Sequence, residues 1–108
     1  MRSAPVLAAL VLGALCSVSV AASGLIPAQR TVELEHIVLQ DCGSCHGLTR
    51  KGGLGSPLTP EALEGSEVEG LAAIILDGVP GTAMPPWRPL LTEQEALWIA
   101  DYLLKETK

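Results

Sequence analysis

Two cysteines and a histidine form the densest group of chemically reactive side chains in this 108-residue sequence. Cys42 and Cys45 are separated by two residues, and His46 follows the second cysteine directly, in the stretch DCGSCHG. Two thiols at this spacing can add to the two vinyl groups of a haem, and a histidine at the next position can ligate the iron. The motif therefore predicts covalent attachment of one haem c.

The same residues allow three other kinds of site. CGSC is compatible with a dithiol oxidoreductase, but too few residues precede Cys42 for the β-α-β unit that such a fold places before its motif. A zinc site would have to combine both cysteines with His36 and His46, and adjacent ligands at positions 45 and 46 do not readily converge on one tetrahedral ion. A plain disulfide would leave His46 without a role. We favour haem attachment.

The second axial position decides what a haem iron can do. Six-coordinate iron moves electrons, whereas five-coordinate iron binds small molecules. Met84 is the only methionine besides Met1, and it lies in the proline-stiffened stretch GTAMPPW. We predict that Met84 is the distal ligand and that His36, the rival candidate, is a solvated helix residue.

Two further residues are predicted to support the haem. A ligating histidine normally donates its other ring N–H to a carbonyl, which fixes the orientation of the ring. Pro57, in the loop GLGSPL, is predicted to supply that carbonyl to His46. Trp87 is predicted to pack on the haem edge or to donate its indole N–H to a propionate, the alternative being an ordinary surface tryptophan.

Composition points to a small helical domain with an acidic surface. The chain is 48% apolar but lacks Phe, and its aromatic content of 3% favours helices joined by glycine turns over a β-sandwich. Its core is thin for one domain, and a covalently bound haem would add apolar surface to pack against. Twelve acidic residues against seven basic ones make nucleic acid a poor partner. Arg50 and Lys51 form a small basic spot beside the motif, able to orient an acidic partner.

The N-terminal segment has the pattern of a secretory signal. Arg2 precedes an apolar run, and small residues lie around position 21, so we predict a signal peptide over residues 1–22 and export to the periplasm. Cleavage would leave no membrane span, whereas an uncleaved segment would act as an anchor. The mature chain is predicted to comprise a lead-in at 23–30 and one domain at 31–108.

Helix signals place the candidate ligands at helix ends and in loops. Thr31 is predicted to cap a first helix that ends at the CxxCH motif. Ser66 and Glu69 are predicted to form a capping box for a second helix, with Gly78 as its stop. The four-proline stretch VPGTAMPPWRP is then an extended loop.

The last helix is predicted from a second capping box, formed by Thr92 and Glu95. Ala96, Ile99, Ala100, Leu103 and Leu104 share one face of this helix. Trp98 and Tyr102 are four residues apart and therefore adjacent on the helix surface.

The combination CGSCHG, GGLGSPL, GTAMPPW and WIADYLL resembles the class I c-type cytochromes over essentially the whole mature chain. It is most similar to the small NirC-type cytochromes c encoded with dissimilatory nitrite reductase. The resemblance implies an all-α fold of three to four helices around one covalently bound haem. It also implies thioether bonds from Cys42 and Cys45, a proximal His46, a distal Met84, and Pro57 as the proline whose carbonyl holds the histidine.

This sequence departs from the family pattern at one point: the first helix of the family usually carries a Phe, and this chain has none. Aliphatic residues such as Ile37 and Val38, with Tyr102 and Leu103, would have to fill the crossing of the first and last helices. This departure concerns packing and leaves the haem site unchanged.

The resemblance also implies a function outside enzyme catalysis. It predicts a periplasmic one-electron carrier that donates electrons to nitrite reductase or serves the maturation of its d-type haem. The partner would be a redox protein, either dissimilatory nitrite reductase or a haem-maturation enzyme, and we expect a monomer. Two alternatives stay open: a haem-based protein that binds or senses small ligands at an open iron position, and a structural maturation factor.

Overall fold

The computed structural model describes residues 3–5, 13 and 25–105, and this part of the chain is helical with no strand. Apart from residues 3–5 and 13, the predicted signal peptide lies outside the described residues. Within them, no helix is long and apolar enough to cross a membrane. The elements, in chain order, are α1 (Ala28–Ile37), a π-helical turn (Val38–Cys42), α2 (Gly43–His46), α3 (Val68–Asp77) and α4 (Glu93–Lys105). The predicted all-α class is confirmed.

The first helix begins at Ala28, so the prediction that it starts after Thr31 is wrong. Pro27 occupies the N-cap position, with φ −58° and ψ 146°. Its carbonyl accepts the Thr31 N–H at 3.1 Å, which closes the first turn. The Thr31 hydroxyl lies inside the helix and donates to the Ala28 carbonyl at 2.6 Å. A proline with fixed φ can start a helix because it needs no partner for an N–H.

α1 continues into α2 through the π-helical turn. The Gly43 N–H donates to the carbonyl of Val38, five residues earlier, so this turn holds one residue more than an α-helical turn. Val38 and Gly43 are both buried as a result, whereas Cys45 is exposed. The helical segment ends where Gly47 takes φ 90°, a conformation that side chains disfavour. The CxxCH residues therefore lie at the C-terminal end of one continuous helical segment.

α3 starts without the predicted capping box. Its N-cap residue is Glu67, and no side chain caps the helix. The Ser66 N–H donates to the Leu63 carbonyl at 2.9 Å, so Ser66 closes the preceding turn and stands too early to cap a helix that begins at Val68. The predicted stop is confirmed, because Gly78 ends α3 with φ 66°.

α4 has the capping box that the sequence predicts. The Thr92 N–H donates to Glu95 Oε1 at 3.0 Å, and the Glu95 N–H donates to Thr92 Oγ1 at 3.2 Å. One turn later, the rings of Trp98 and Tyr102 stack with centroids 5.1 Å apart. The predicted capping box and the predicted ring pair are confirmed.

The core is small and aliphatic. Leu34, Ala96 and Ala100 have no exposed surface, and small alanines on α4 allow neighbouring helices to approach closely. Ile37 and Tyr102 are partly buried and pack against this core. The buried apolar residues are Leu34, Val38, Leu63, Ala72, Leu76, Leu91, Ala96, Ile99, Ala100 and Leu103.

An ion pair joins the first and last helices. Arg30 Nε on α1 donates to Glu95 Oε2 on α4, and Arg30 Nη1 donates to Glu33 at 2.8 Å. Burial of the Glu95 carboxylate acts to raise its pKa, but hydrogen bonds from Arg30 and Thr92 outweigh this effect. The pKa of Glu95 therefore lies below its usual value.

Replacing Glu95 by glutamine is expected to destabilise the protein by about 1–3 kcal/mol at pH 7, because Arg30 loses its charged partner. The folded-state pKa is lowered, so the wild-type carboxylate stabilises the fold above its ordinary pKa of 4.5 and loses this effect as the pH falls. Urea unfolding of the haem-containing protein at pH 7 and at lower pH measures both effects.

The matched control is Glu93→Gln, which changes a carboxylate that is 78% exposed on the same helix. It is expected to change the free energy of unfolding little. Equal loss of stability on acidification in the wild type and in Glu95→Gln would contradict the assigned role of the pair.

Candidate haem-binding site

The two described cysteines lie in different environments and do not form a disulfide. Cys42 is half-buried at the end of the π-helical turn, and Cys45 is exposed on α2. Burial, followed by the negative charge of Asp41, raises the pKa of Cys42 to about 11. A dithiol oxidoreductase needs a nucleophilic cysteine with a lowered pKa, usually at a helix N-terminus. Cys42 lies inside a helical segment and has the opposite shift, which argues against that kind of site.

A hydrogen bond to a loop carbonyl holds the imidazole of His46. Its Nδ1 lies 2.6 Å from the carbonyl oxygen of Ser56. A carbonyl can only accept, so Nδ1 carries the proton and donates it. The other ring nitrogen, Nε2, is then the one with a lone pair for a metal ion.

The prediction that the Pro57 carbonyl holds His46 is wrong by one residue. The acceptor is the Ser56 carbonyl, which belongs to the peptide bond that precedes the proline. Because Pro57 has no N–H, this peptide unit offers only an acceptor to its surroundings. The proline therefore lies beside the residue that makes the contact, and its own side chain is exposed.

A glycine-rich loop covers the end of α2. The Gly52 N–H donates to the His46 carbonyl at 2.8 Å, and the Gly55 N–H donates to the Cys45 carbonyl at 2.7 Å. These bonds satisfy carbonyls that the end of a helix leaves without intrahelical partners. The loop that supplies the Ser56 carbonyl is thus fixed to the helix that carries the histidine.

Backbone bonds also fix the loop that carries Met84. The Val79 N–H donates to the Met84 carbonyl at 3.2 Å, and the Met84 N–H donates to the Thr82 hydroxyl at 3.3 Å. A Cβ atom on Gly78 would lie 2.6 Å from the Met84 carbonyl oxygen, so this approach requires glycine. The half-buried Met84 therefore sits on a loop with a defined path.

Trp87 closes this loop against α3. Its N–H lies 3.0 Å from the Leu76 carbonyl and 3.1 Å from the Ile75 carbonyl, at the end of that helix. The side chain is half-buried and packs against the core. The next residue, Arg88, donates to Asp77 at 2.6 Å. Trp87 thus has an anchoring role besides the predicted contact with haem.

The residues of these segments suit a haem. The candidate donors are an imidazole nitrogen and a thioether sulfur, a pair that haem iron accepts. Large apolar side chains are exposed in the same segments: Leu48 and Leu54 beside the motif are 63% and 84% exposed, and Ile74 and Val79 beside the Met84 loop are 48% and 40% exposed. A bound haem could cover these side chains.

A zinc site has no comparable support. Among the described residues, no group of three or more His, Cys, Asp or Glu side chains could hold a metal ion. His36 is exposed on α1.

Comparison with known proteins agrees with this geometry. Residues 29–103 match the family described as cytochrome C oxidase, cbb3-type, subunit III. Cytochrome c55X of Paracoccus denitrificans (strain Pd 1222) is 65% identical over 85 residues, which cover 79% of this chain and 82% of the relative. The chain belongs to the small NirC-like c-type cytochromes.

Further similarities support this assignment. Cytochrome c55X of Pseudomonas aeruginosa is 55% identical to the cytochrome over 78 residues, covering 72% of this chain and 66% of the relative. The solved structure of a c-type cytochrome NirC superimposes with a TM-score of 0.72 at 52% identity, covering 74% of this chain and 94% of that one.

A larger protein contains a similar domain. The structure of dihydro-heme d1 dehydrogenase NirN in complex with DHE matches with a TM-score of 0.62 at 33% identity. The match covers 68% of this chain but 16% of NirN.

Membership of this family establishes the cofactor and the general activity. The cytochrome carries covalently bound haem c and is an electron carrier, not an enzyme. The predicted cofactor and family are therefore confirmed.

The sequence analysis did not identify the Ser56 carbonyl as the acceptor for His46. The feature of the sequence that could have indicated it is that Ser56 lies directly before a proline.

Proposed function

We propose that this cytochrome is a periplasmic one-electron carrier in which His46 and Met84 are the axial ligands. Cys42 and Cys45 would form the thioether bonds. The observation that carries the proposal is the bond from His46 Nδ1 to Ser56, which leaves Nε2 as the ligating nitrogen. The bound haem supplies an iron that exchanges one electron between its ferric and ferrous states.

The protein's contribution is to hold both ligands on prepared backbone. Bonds from the glycine-rich loop fix the segment around His46, and bonds within the 79–87 loop fix Met84. Ligands that keep their positions in both oxidation states reduce the rearrangement that accompanies electron transfer. Trp87 is proposed to border the haem edge from its anchored position.

The proposed pathway is that of dissimilatory nitrite reductase. Similarity to cytochrome c55X and to NirC supports it. The cytochrome would act either as an electron donor to the reductase or in the maturation of its d-type haem. The second role is supported by the likeness to one part of NirN, whose name describes a dehydrogenase of dihydro-haem d1. We also propose export through residues 1–22, with removal of that segment, and a monomeric mature domain.

An absorption spectrum of the exported protein tests the proposal. The expected result is a covalent haem with sharp reduced bands and a weak oxidised band near ~700 nm, which a bond from methionine to haem iron gives. Carbon monoxide should bind slowly. A haem spectrum without the weak band, together with rapid carbon monoxide binding, would instead support a small-ligand sensor.

One stretch of sequence, between Asp41 and Glu61, carries only basic charges. Residues 42–60 contain Arg50 and Lys51 and no acidic residue, although the whole chain carries a net charge of −5. The bond from the Gly52 N–H to the His46 carbonyl holds this stretch against α2. We propose that the redox partner presents an acidic surface to this region, because opposite charges speed the encounter of two proteins.

Replacing Lys51 by glutamate is expected to slow oxidation of the reduced cytochrome by the anion hexacyanoferrate(III) several-fold at low ionic strength, because the local potential becomes negative. Stopped-flow absorption measures the rate. High salt should remove most of the difference.

The matched control is Lys105→Glu, which makes the same change in net charge on α4, where Lys105 pairs with Asp101. It should have a smaller effect on the rate. If the two variants slow the reaction equally, net charge accounts for the effect and the proposed docking region is wrong.

A further inference from the structure

The backbone of Gly55 passes directly beside the His46 ring. A Cβ atom at position 55 would lie 2.7 Å from both Cε1 and Nδ1 of that ring, and 3.2 Å from its Cγ. Carbon atoms do not pack at 2.7 Å without displacement of one partner. The ring can therefore occupy its observed position only because residue 55 has no side chain.

The loop cannot easily retreat to make room. The Gly55 N–H donates to the Cys45 carbonyl at 2.7 Å, and the Gly55 carbonyl accepts from the Gly53 N–H at 3.0 Å. The next residue, Ser56, accepts the His46 ring N–H at 2.6 Å. A side chain at position 55 would therefore push the ring aside, because moving the loop would break several bonds.

Backbone conformation does not explain the glycine at this position. The positive φ angles of the described glycines occur at Gly47, Gly52, Gly65, Gly78 and Gly81, and Gly55 is not among them. Alanine is thus permitted by the backbone at residue 55. The contact with the imidazole is the feature that requires glycine.

We propose that Gly55 is a positioning residue for the proximal ligand. By lacking a side chain it sets the rotation of the His46 imidazole, and so the bond from Nδ1 to Ser56 and the direction of Nε2. This inference rests on the proposed ligation of iron by His46. Loss of such a supporting hydrogen bond lowers the basicity of a ligating histidine. A less basic ligand stabilises the ferric state less, so the midpoint potential rises.

The test uses Gly55→Ala in the haem-containing protein. We expect the midpoint potential to rise and the His46 Nδ1–H resonance in NMR spectra of the reduced protein to shift or to exchange faster with water. Gly70→Ala is the control, since a Cβ atom on Gly70 would meet nothing within 4 Å.

Two results would overturn the inference. One is an unchanged potential and resonance in Gly55→Ala, and the other is an equal change in Gly70→Ala. Failure of the proposed function is recognised separately, because it would show in the wild-type spectrum as an iron without the His46 and Met84 signature.

A second measurement covers the case in which Gly55→Ala does not accumulate. In the reduced wild-type protein, nuclear Overhauser effects between the Gly55 α-protons and the His46 ring protons report the contact directly. Their presence supports the proposal, and their absence overturns it.

Discussion

Replacing Met84 by alanine is expected to remove the weak oxidised band near ~700 nm and to open the iron to exogenous ligands. The midpoint potential should fall by about 0.1–0.3 V, a fraction of the roughly 0.8 V range over which axial ligands set haem potentials. The reason is that a thioether favours the ferrous state, whereas water or an open position does not. Absorption spectra, carbon monoxide binding and redox titration measure these changes.

The control for this variant is Leu90→Ala. Leu90 lies in the same connection between α3 and α4 and is 66% exposed. Truncating it should leave the spectrum and the potential close to those of the wild type. If Met84→Ala keeps the wild-type potential and still binds carbon monoxide slowly, another residue is the distal ligand, and His36 would be the next candidate to replace.

Replacing both Cys42 and Cys45 by serine is expected to abolish covalent haem. Serine hydroxyls do not add to the vinyl groups under the conditions in which thiols do, so haem staining of a denaturing gel should fall from full intensity to background. The stability of the domain should also fall, since its aliphatic core is small and the haem adds apolar surface to it. Each single variant should keep one thioether bond and part of the stain.

Ser44→Ala is the matched control between the two cysteines. Its exposed hydroxyl donates to the Gln40 carbonyl at 2.6 Å and has no thiol to add to a vinyl group. The variant should stain as the wild type does. Covalent pigment that persisted in the double cysteine variant would refute the assigned attachment sites.

Gly78 has two roles, of which the sequence predicts one and only the structure shows the other. The sequence predicts Gly78 as a helix stop, and its φ of 66° agrees. Only the folded chain shows that the same glycine admits the Met84 carbonyl within 2.6 Å of where its Cβ atom would lie. A glycine that ends a helix can be recognised from nearby residues. The close approach of the Met84 carbonyl to Gly78 depends on the path of the whole loop.

Local signals in the sequence correctly predicted much of this protein. The CxxCH motif and the α4 capping box depend on residues within a few positions of one another, so their chemistry can be recognised without knowledge of the fold. The failed predictions were also local: Thr31 and Ser66 have the side chains of capping residues, but Pro27 starts α1 earlier and Ser66 belongs to the preceding turn. Side-chain type alone does not decide which of several possible turns forms.

The sequence by itself determined the cofactor chemistry, the helical class and the pair of segments that carry the candidate ligands. The tertiary structure decided the π-helical turn that ends at Cys42, the Ser56 carbonyl as partner of His46, and the contact between Gly55 and the imidazole. These features depend on where a loop lies over a helix end. A shift of one residue along that loop exchanges one carbonyl for the next, and residue types do not distinguish the two because every residue has a carbonyl.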